Sequence, residues 1–549
     1  MVAPQLSIEQ FSEQELVKAF ANRHAPESEV AAQGRIRYLA GYLRDIKAES
    51  IVIEEPYIDG DYLDDYAAYY AKCFQDYGRW CKRLHFFDVP PAGVNIPSLL
   101  EGASEAQIDF LQEHYLGFVV TRPLPEAVVG RTVLRTYDSD NGRRSFPVTR
   151  RYSANLCGAE LEIESLAFQE QDTVLAACAT VAVWSCFHKT AELFHTAIPT
   201  PAEITRIASQ AVHYGRSIPS AGLRVEEICA AVRHLHLEPE LIELRGGGMV
   251  PLPSLIRGYL LMGLPVLLVI EIPDVGLHAV TISGYSVLDV AARPEEVPGY
   301  SFIPMVGRRI DKFYAHDDQV GPFSRMIIHG CNEQTRSGFL SRVRARFLGS
   351  SPLPFPICLE TSWANDHDMD RPVYPYAVIV PVYPKIRLRF IDILKWLTPL
   401  NPILSNIIPP DMDHEWDVHL TLSNDYKSEV RADVSRSASA RRAILSCMHP
   451  RFWWRAVLSI EGEPCLELLF DATGIARSFP LTEAIWLSEP YSARMETILA
   501  NGERRDEILK DLSEERSANS FIVSRLLEFL PGSIRRRDNP LQEVLHHNR

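Results

Sequence analysis

The chain has 549 residues, 46% of them hydrophobic and 23% charged, which is ample apolar material for packed cores and enough length for about three domains. A formal net charge of −15 with no long basic block disfavours nucleic-acid binding, because neutralising phosphates needs clustered lysine and arginine. Ten cysteines are scattered without a CxxC pair, so they read as reduced, mostly buried thiols rather than a disulfide framework or a structural zinc site.

Taken in chain order, the N-terminal stretch lacks a basic region followed by an apolar one, so no signal peptide is expected. Residues 7–24 and 31–49 are amphipathic and predict helices, with Ser7 as N-cap of the first. Residues 51–58 predict a strand. Residues 62–87 return to helical periodicity, with the tyrosines of 62–70 on a packing face, and 104–115 predicts a further helix. From residue 116 the texture turns β-branched and punctuated by Pro, Gly and Asn, up to 168.

Helices are predicted over 177–195, 201–212, 224–236 and 254–264, the first with a long apolar run. Strands are predicted over 265–272, 278–287 and 312–318, and 245–249 (RGGGM) reads as a turn because it lacks the setting and lysine of a phosphate loop. The Pro-rich insert 288–310 predicts a loop excursion. No apolar window reaches the length of about 20 residues that a membrane span needs, and a soluble, cytoplasmic protein is expected. Beyond 331, strands are predicted over 375–390, 415–424, 452–460 and 464–473, and helices over 391–397, 428–445 and 521–530. Arg535, Arg536 and Arg537 read as part of a solvated tail.

Chemistry concentrates in three places. Cys178 opens the apolar helix, where backbone N–H groups and the helix dipole favour a thiolate. His278 opens a β-rich segment, and Asp317-Asp318 precedes a Gly-Pro turn. A thiol nucleophile needs a base, a group to orient that base, and donors for an oxyanion. His278 fits the base, Asp317 the orienting carboxylate, and Gln171 a side-chain donor. Each residue also has a structural reading: a packed cysteine, a core histidine, a turn aspartate, an exposed glutamine. Their order along the chain favours the chemical one. His188, His195 and His213 find no completing ligands, and His234 and His236 diverge on a helix, so no metal or cofactor is expected.

HAVTISGY, from His278 to Tyr285, and DDQVG, from Asp317 to Gly321, resemble the papain-like cysteine peptidase superfamily. The closest likeness is to the branch that processes bacteriocin leaders at double-glycine sites. That branch carries His-x-Val-x-x-x-Gly-Tyr and Asp-x-x-x-Gly, which favours Asp317 over Asp318. Its glutamine stands about six residues before a Cys-Gly pair, whereas here Gln171 stands seven before Cys178-Ala179, and Gln169 is the substitute.

The resemblance covers about residues 165–330 and implies an α+β fold. In it a papain-like core, with a helical half and an antiparallel-sheet half, occupies 169–330. The resemblance does not reach the flanks, where the residue patterns themselves predict a mainly helical N-terminal region over 1–115, an α/β extension of the core, and a β-rich lead-in over 116–168. They also predict a β-rich α+β domain over 331–549. The implied activity is peptidase or isopeptidase hydrolysis through a thioester. Acyl transfer of the transglutaminase or phytochelatin-synthase type, and a non-catalytic papain-like scaffold in a multi-protein complex, stay open beside it. Expected partners are a protein or peptide substrate and other proteins on the flanking segments, with neither nucleic acid nor membrane.

Overall fold

A computed structural model describes residues 5–172, 177–210, 222–244, 251–273, 275–289, 303–330, 357–361, 373–405, 408–409, 411–434, 436–474 and 481–501. The Ser12 side chain accepts a hydrogen bond from the Glu15 amide and so fixes the start of α1 (Glu13–Phe20), leaving Gln5–Gln10 as strand β1. The helix predicted from Ser7 therefore begins later. Leu6 and Ile8 alternate with the exposed Ser7 and Glu9, a two-residue period that a helical template absorbs.

The chain divides into two compact units, the first formed by the described residues of 1–248, 263–292 and 309–384. Its N-terminal part adds α2 (Glu27–Ala32), α3 (Gly34–Asp45), β2 (Ser50–Tyr57), α4 (Gly60–Ala68), β3 (Cys81–Phe87), α5 (Pro91–Val94), α6 (Ile96–Gly102), α7 (Glu105–His114), β4 (Tyr115–Thr121) and β5 (Val129–Leu134). These strands form an antiparallel sheet in the order β1-β2-β3-β4-β5. The predicted helical stretch 62–87 thus ends in the strand β3. Hydrogen bonding to β2 on one side and β4 on the other overrides its weak local preference.

Next come β6 (Arg144–Ser145) and the hairpin of β7 (Arg150–Leu156) and β8 (Ala159–Ser165), turned by Cys157 and Gly158 at φ 52° and 91°. Three helices follow, α8 (Cys178–Phe194), α9 (Pro201–Gln210) and α10 (Val225–His234). The strands β9 (Glu238–Glu243), β10 (Val266–Ile272), β11 (Gly276–Val287), β12 (Ile310–Asp317), β13 (Gly321–Gly330), β14 (Ile357–Thr361) and β15 (Tyr374–Val382) build a second antiparallel sheet. Its order is β14-β13-β12-β11-β10-β15-β9, with β6 paired onto β11. Strand β15 lies between β10 and β9, in register Leu267↔Ile379 and Ile379↔Leu241.

The second unit takes in the described residues of 249–262, 293–308 and 385–501. It contains α11 (Leu252–Leu260), α12 (Phe390–Ser405), β16 (His414–Leu422), α13 (Ser423–Ala432), α14 (Ala438–Ser446), β17 (Phe452–Ile460), β18 (Glu463–Asp471), β19 (Leu481–Trp486) and α15 (Glu489–Ala500). The helix predicted over 428–445 is two helices, α13 and α14. The sheet β16-β17-β18-β19 buries Trp416, Trp453 and Trp454, and Gly258 lets α11 approach β16, since a Cβ there would stand 2.7 Å from the Val418 carbonyl oxygen. The whole is α+β with open antiparallel sheets. Among the described residues no helix is long and apolar enough to cross a membrane. The turn 245–249, His213, the helix predicted at 521–530, Arg535–Arg537 and most of the insert lie outside the described residues.

Candidate active site

Helix α8 is apolar nearly all round and is buried accordingly, against β11. Two hydrogen bonds anchor it: Thr281 Oγ1 on β11 donates to the Ala182 carbonyl at 2.8 Å, and Ser185 Oγ donates to the Ala167 carbonyl at 2.9 Å. Two cysteines ride on this helix in different settings. Cys186 is fully buried and its thiol is pushed up to about 12 by desolvation, which makes it inert. Cys178 is the first helical residue, half-buried, and follows Ala177, whose side chain cannot cap the free backbone N–H groups.

The same anchoring on β11 brings the helix start to His278. His278 Nε2 lies 2.9 Å from Asp317 Oδ1, where β12 ends, and 3.7 Å from Asp318 Oδ1. Burial opposes a charge on this ring. The Asp317 carboxylate and its hydrogen bond, the hydrogen bond with Cys178 and the Asp318 charge outweigh it, so the imidazolium is held well above its ordinary range.

The buried His85, His188 and His316 go the other way, each held below its ordinary range by desolvation. His316, two strand positions from the Asp318 turn, is lowered to about 4 by burial; Phe323 N donates to its Nδ1 at 3.1 Å and its Nε2 faces the Leu166 carbonyl at 3.0 Å. His188 is lowered by desolvation and stacks edge-on against Trp184. Environment alone therefore separates one charged histidine from its neutral neighbours.

The two aspartates differ as well. Asp317 Oδ1 also accepts from the Gln319 amide at 3.0 Å, the turn bond that aims its carboxylate. Asp318 is raised to about 6, first by burial and then by the Asp317 charge, with His278 and Arg35 pulling the other way. Its folded value lies above the unfolded one near 3.9, so the folded state binds the proton more tightly. Stability from this group is fully present below about pH 4 and is lost as pH rises through about 6. Asp318→Asn, measured by thermal unfolding with EDTA present, is expected to be more stable than the parent at pH 7.5 by on the order of 2 kcal/mol. That difference should shrink on going to pH 4.5; one that ignores pH would contradict the buried, proton-hungry carboxyl.

Around this turn stands a group the sequence did not suggest. Arg35 of α3 forms an ion pair with the fully buried Glu170, whose other oxygen accepts from the Val129 amide at 2.9 Å. Its charge also acts on Asp317 and Asp318. One helical turn on, Tyr38 donates its hydroxyl to the Pro322 carbonyl at 2.9 Å. Neither Arg35 nor Tyr38 belongs to a local motif; only their i, i+3 spacing on one helix face hinted that they act together.

The glutamines fall into two environments. Gln171 is half-buried, whereas Gln169 is buried with its Nε2 lacking any hydrogen-bond partner, beside Phe168, which packs edge-on against His316. Comparison with family models, with curated proteins and with solved structures gives no match.

Proposed function

We propose that the chain is a cysteine-dependent hydrolase of papain-like type that cleaves amide bonds of peptides or proteins. The observation that carries this is the line of contacts from Cys178 at the start of α8, through the His278 ring, to Asp317 Oδ1 at 2.9 Å. With Nε2 directed at Asp317, Nδ1 is the ring nitrogen open to the thiol. Transfer of the thiol proton to His278 gives a thiolate–imidazolium pair. The thiolate attacks the carbonyl carbon, and the imidazolium gives its proton to the leaving amine as the C–N bond breaks, leaving a thioester. Neutral His278 then takes a proton from water, hydroxide adds to the thioester carbonyl, and the C–S bond breaks to release the acid and regenerate the pair. The N–H groups at the start of α8 serve as oxyanion donors in this reading, joined by the side-chain amide of Gln171 or of Gln169, whose Nε2 has no hydrogen-bond partner.

The test is chemical. An iodoacetamide probe at pH 7, read by peptide mass spectrometry, is expected to modify Cys178 well ahead of Cys73 and Cys447, and Cys178→Ala should remove the fast phase. Labelling of Cys178 no faster than those two half-buried thiols would sink the proposal. A peptide-library digest with and without an added amine then separates hydrolysis from transfer.

A further inference from the structure

Three buried side chains converge beside the proposed nucleophile: His278, Asp317 and Asp318, exposed by 6%, 0% and 2%. One donor atom from each lies within 4.8 Å of the others. His278 Nε2 stands 2.9 Å from Asp317 Oδ1 and 3.7 Å from Asp318 Oδ1. Around a tetrahedral zinc ion with bonds of about 2.0–2.2 Å, neighbouring donor atoms are about 3.3–3.6 Å apart, between those two values. The two distances to Nε2 straddle that spacing and the carboxylate donors lie within 4.8 Å of each other, so side-chain rotation without backbone movement would bring all three to one cation.

Asp318 makes this more than a triad with a spare neighbour. Orienting one imidazole takes one carboxylate, and Asp317 does it. Asp318 is buried just as deeply, aims Oδ1 at the same nitrogen, and meets no hydrogen-bond donor beyond its own backbone amide. Oδ2 of Asp317 also lacks a partner. The His278 imidazolium sets one positive charge against the two carboxylates, and Arg35, whose charge also reaches them, is already paired with Glu170. One imidazolium balances one carboxylate, so the second is buried either with its proton or at a cost that a further positive ligand would offset.

We propose that His278 Nε2, Asp317 and Asp318 form a binding site for a divalent transition cation of the zinc class, and that its occupation switches the Cys178 thiol off. A nitrogen donor with two carboxylates suits zinc better than magnesium or calcium, which take six or more oxygens. On binding, the cation takes the Nε2 lone pair, and the proton that Nε2 shared with Asp317 leaves to solvent. The ring keeps its other proton on Nδ1. The ring then has neither the positive charge that holds a thiolate nor a lone pair for the thiol proton, so the Cys178 sulfur takes a proton from solvent and rests as the thiol. The switching half rests on the hydrolase reading; cation binding does not.

The full chain, freed of metal with EDTA and desalted, is titrated with zinc chloride and separately with magnesium chloride by calorimetry. One zinc site is expected in the parent and in Cys178→Ala, weakened at least about tenfold in Asp318→Asn. Asp318→Asn is near-isosteric, and circular dichroism establishes that it is folded; Asp317→Asn gives a second, independent loss. Undiminished zinc affinity in Asp318→Asn overturns the site. So does loss of binding in Cys178→Ala, which would mark a thiol–imidazole adduct, and so does magnesium binding as tight as zinc. Iodoacetamide labelling of Cys178 should fall at least about threefold at saturating zinc in the parent, recover with chelator, and be insensitive to zinc in Asp318→Asn. Zinc binding without an effect on a reactive Cys178 overturns the switch. If Cys178 is unreactive with and without zinc while zinc still binds through Asp318, the hydrolase reading and the switch fall, and the cation site stands.

Discussion

His278→Ala is expected to slow alkylation of Cys178 at pH 7 by about threefold to tenfold. A cysteine of ordinary pKa near 8.5 is only a few per cent thiolate at that pH, whereas one paired with an imidazolium is mostly thiolate. The lower nucleophilicity of a low-pKa thiolate returns part of that advantage, which is why the range stops short of the full ratio. The pH profile carries the sharper information. In the parent the rate should depend less steeply on pH between about 8 and 6 than in the variant, because the His278 imidazolium, held well above its usual range, stays charged beside the sulfur over that interval. In His278→Ala the rate should climb with pH until the free thiol ionises. Asp317→Asn should fall between the two, since its oxygen can still accept from Nε2 while the charge that raises the ring is gone. Asp318→Asn should matter less, because Asp318 stands 3.7 Å from Nε2. Second-order rate constants at Cys178 across this pH series decide the matter. A His278→Ala protein that labels as fast as the parent at pH 7 would remove the imidazole from the chemistry.

What the sequence made legible here is what local spacing controls. The apolar run after Cys178 reads as a buried helix because burial and a 3.6-residue period coincide over Cys178–Phe194. His278 reads as a strand residue because Ala279, Val280, Thr281 and Ile282 follow it, and Asp317 reads as a turn residue because Gly321-Pro322 follows. Non-local pairing left no such trace. Nothing in YPYAVIVPV says that it joins β10 rather than the strands after it, since β-branched runs pair with whichever edge the chain path offers. The strand character of CKRLHFF comes from its two neighbours in the sheet, not from its own composition. Arg35 and Glu170 are 135 positions apart, and an ion pair at that separation has no sequence signature. The apolar pattern therefore exposed the proposed nucleophile and its histidine, while the groups that hold the carboxylate turn from behind stayed hidden.

That turn is where the second large effect is expected. Gly321→Ala should destabilise the first unit by roughly 3 kcal/mol and lower the reactivity of Cys178 with it. Gly321 has φ +154°, and a Cβ built there would lie 2.3 Å from Tyr38 Cδ1 and 2.5 Å from Cε1. The Tyr38 ring cannot swing away without losing the bond from its hydroxyl to the Pro322 carbonyl, and the same helix carries Arg35, paired to Glu170. Either α3 or the turn between β12 and β13 must then move, and the turn is the segment that carries Asp317 and Asp318. Gly158→Ala is the control: Gly158 also has positive φ, at +91°, but nothing lies within 4 Å of its Cβ position. It should show only the backbone cost of about 1 kcal/mol. Tyr38→Ala combined with Gly321→Ala removes the collision, so the double variant should lose less than the sum of the two single losses. Additive losses, or a Gly321→Ala protein as stable as Gly158→Ala, would show that α3 merely lies beside the turn. Strong coupling would make the N-terminal helix a working part of the site, because the carboxylate that orients His278 would then be held in place by a side chain 279 positions before it.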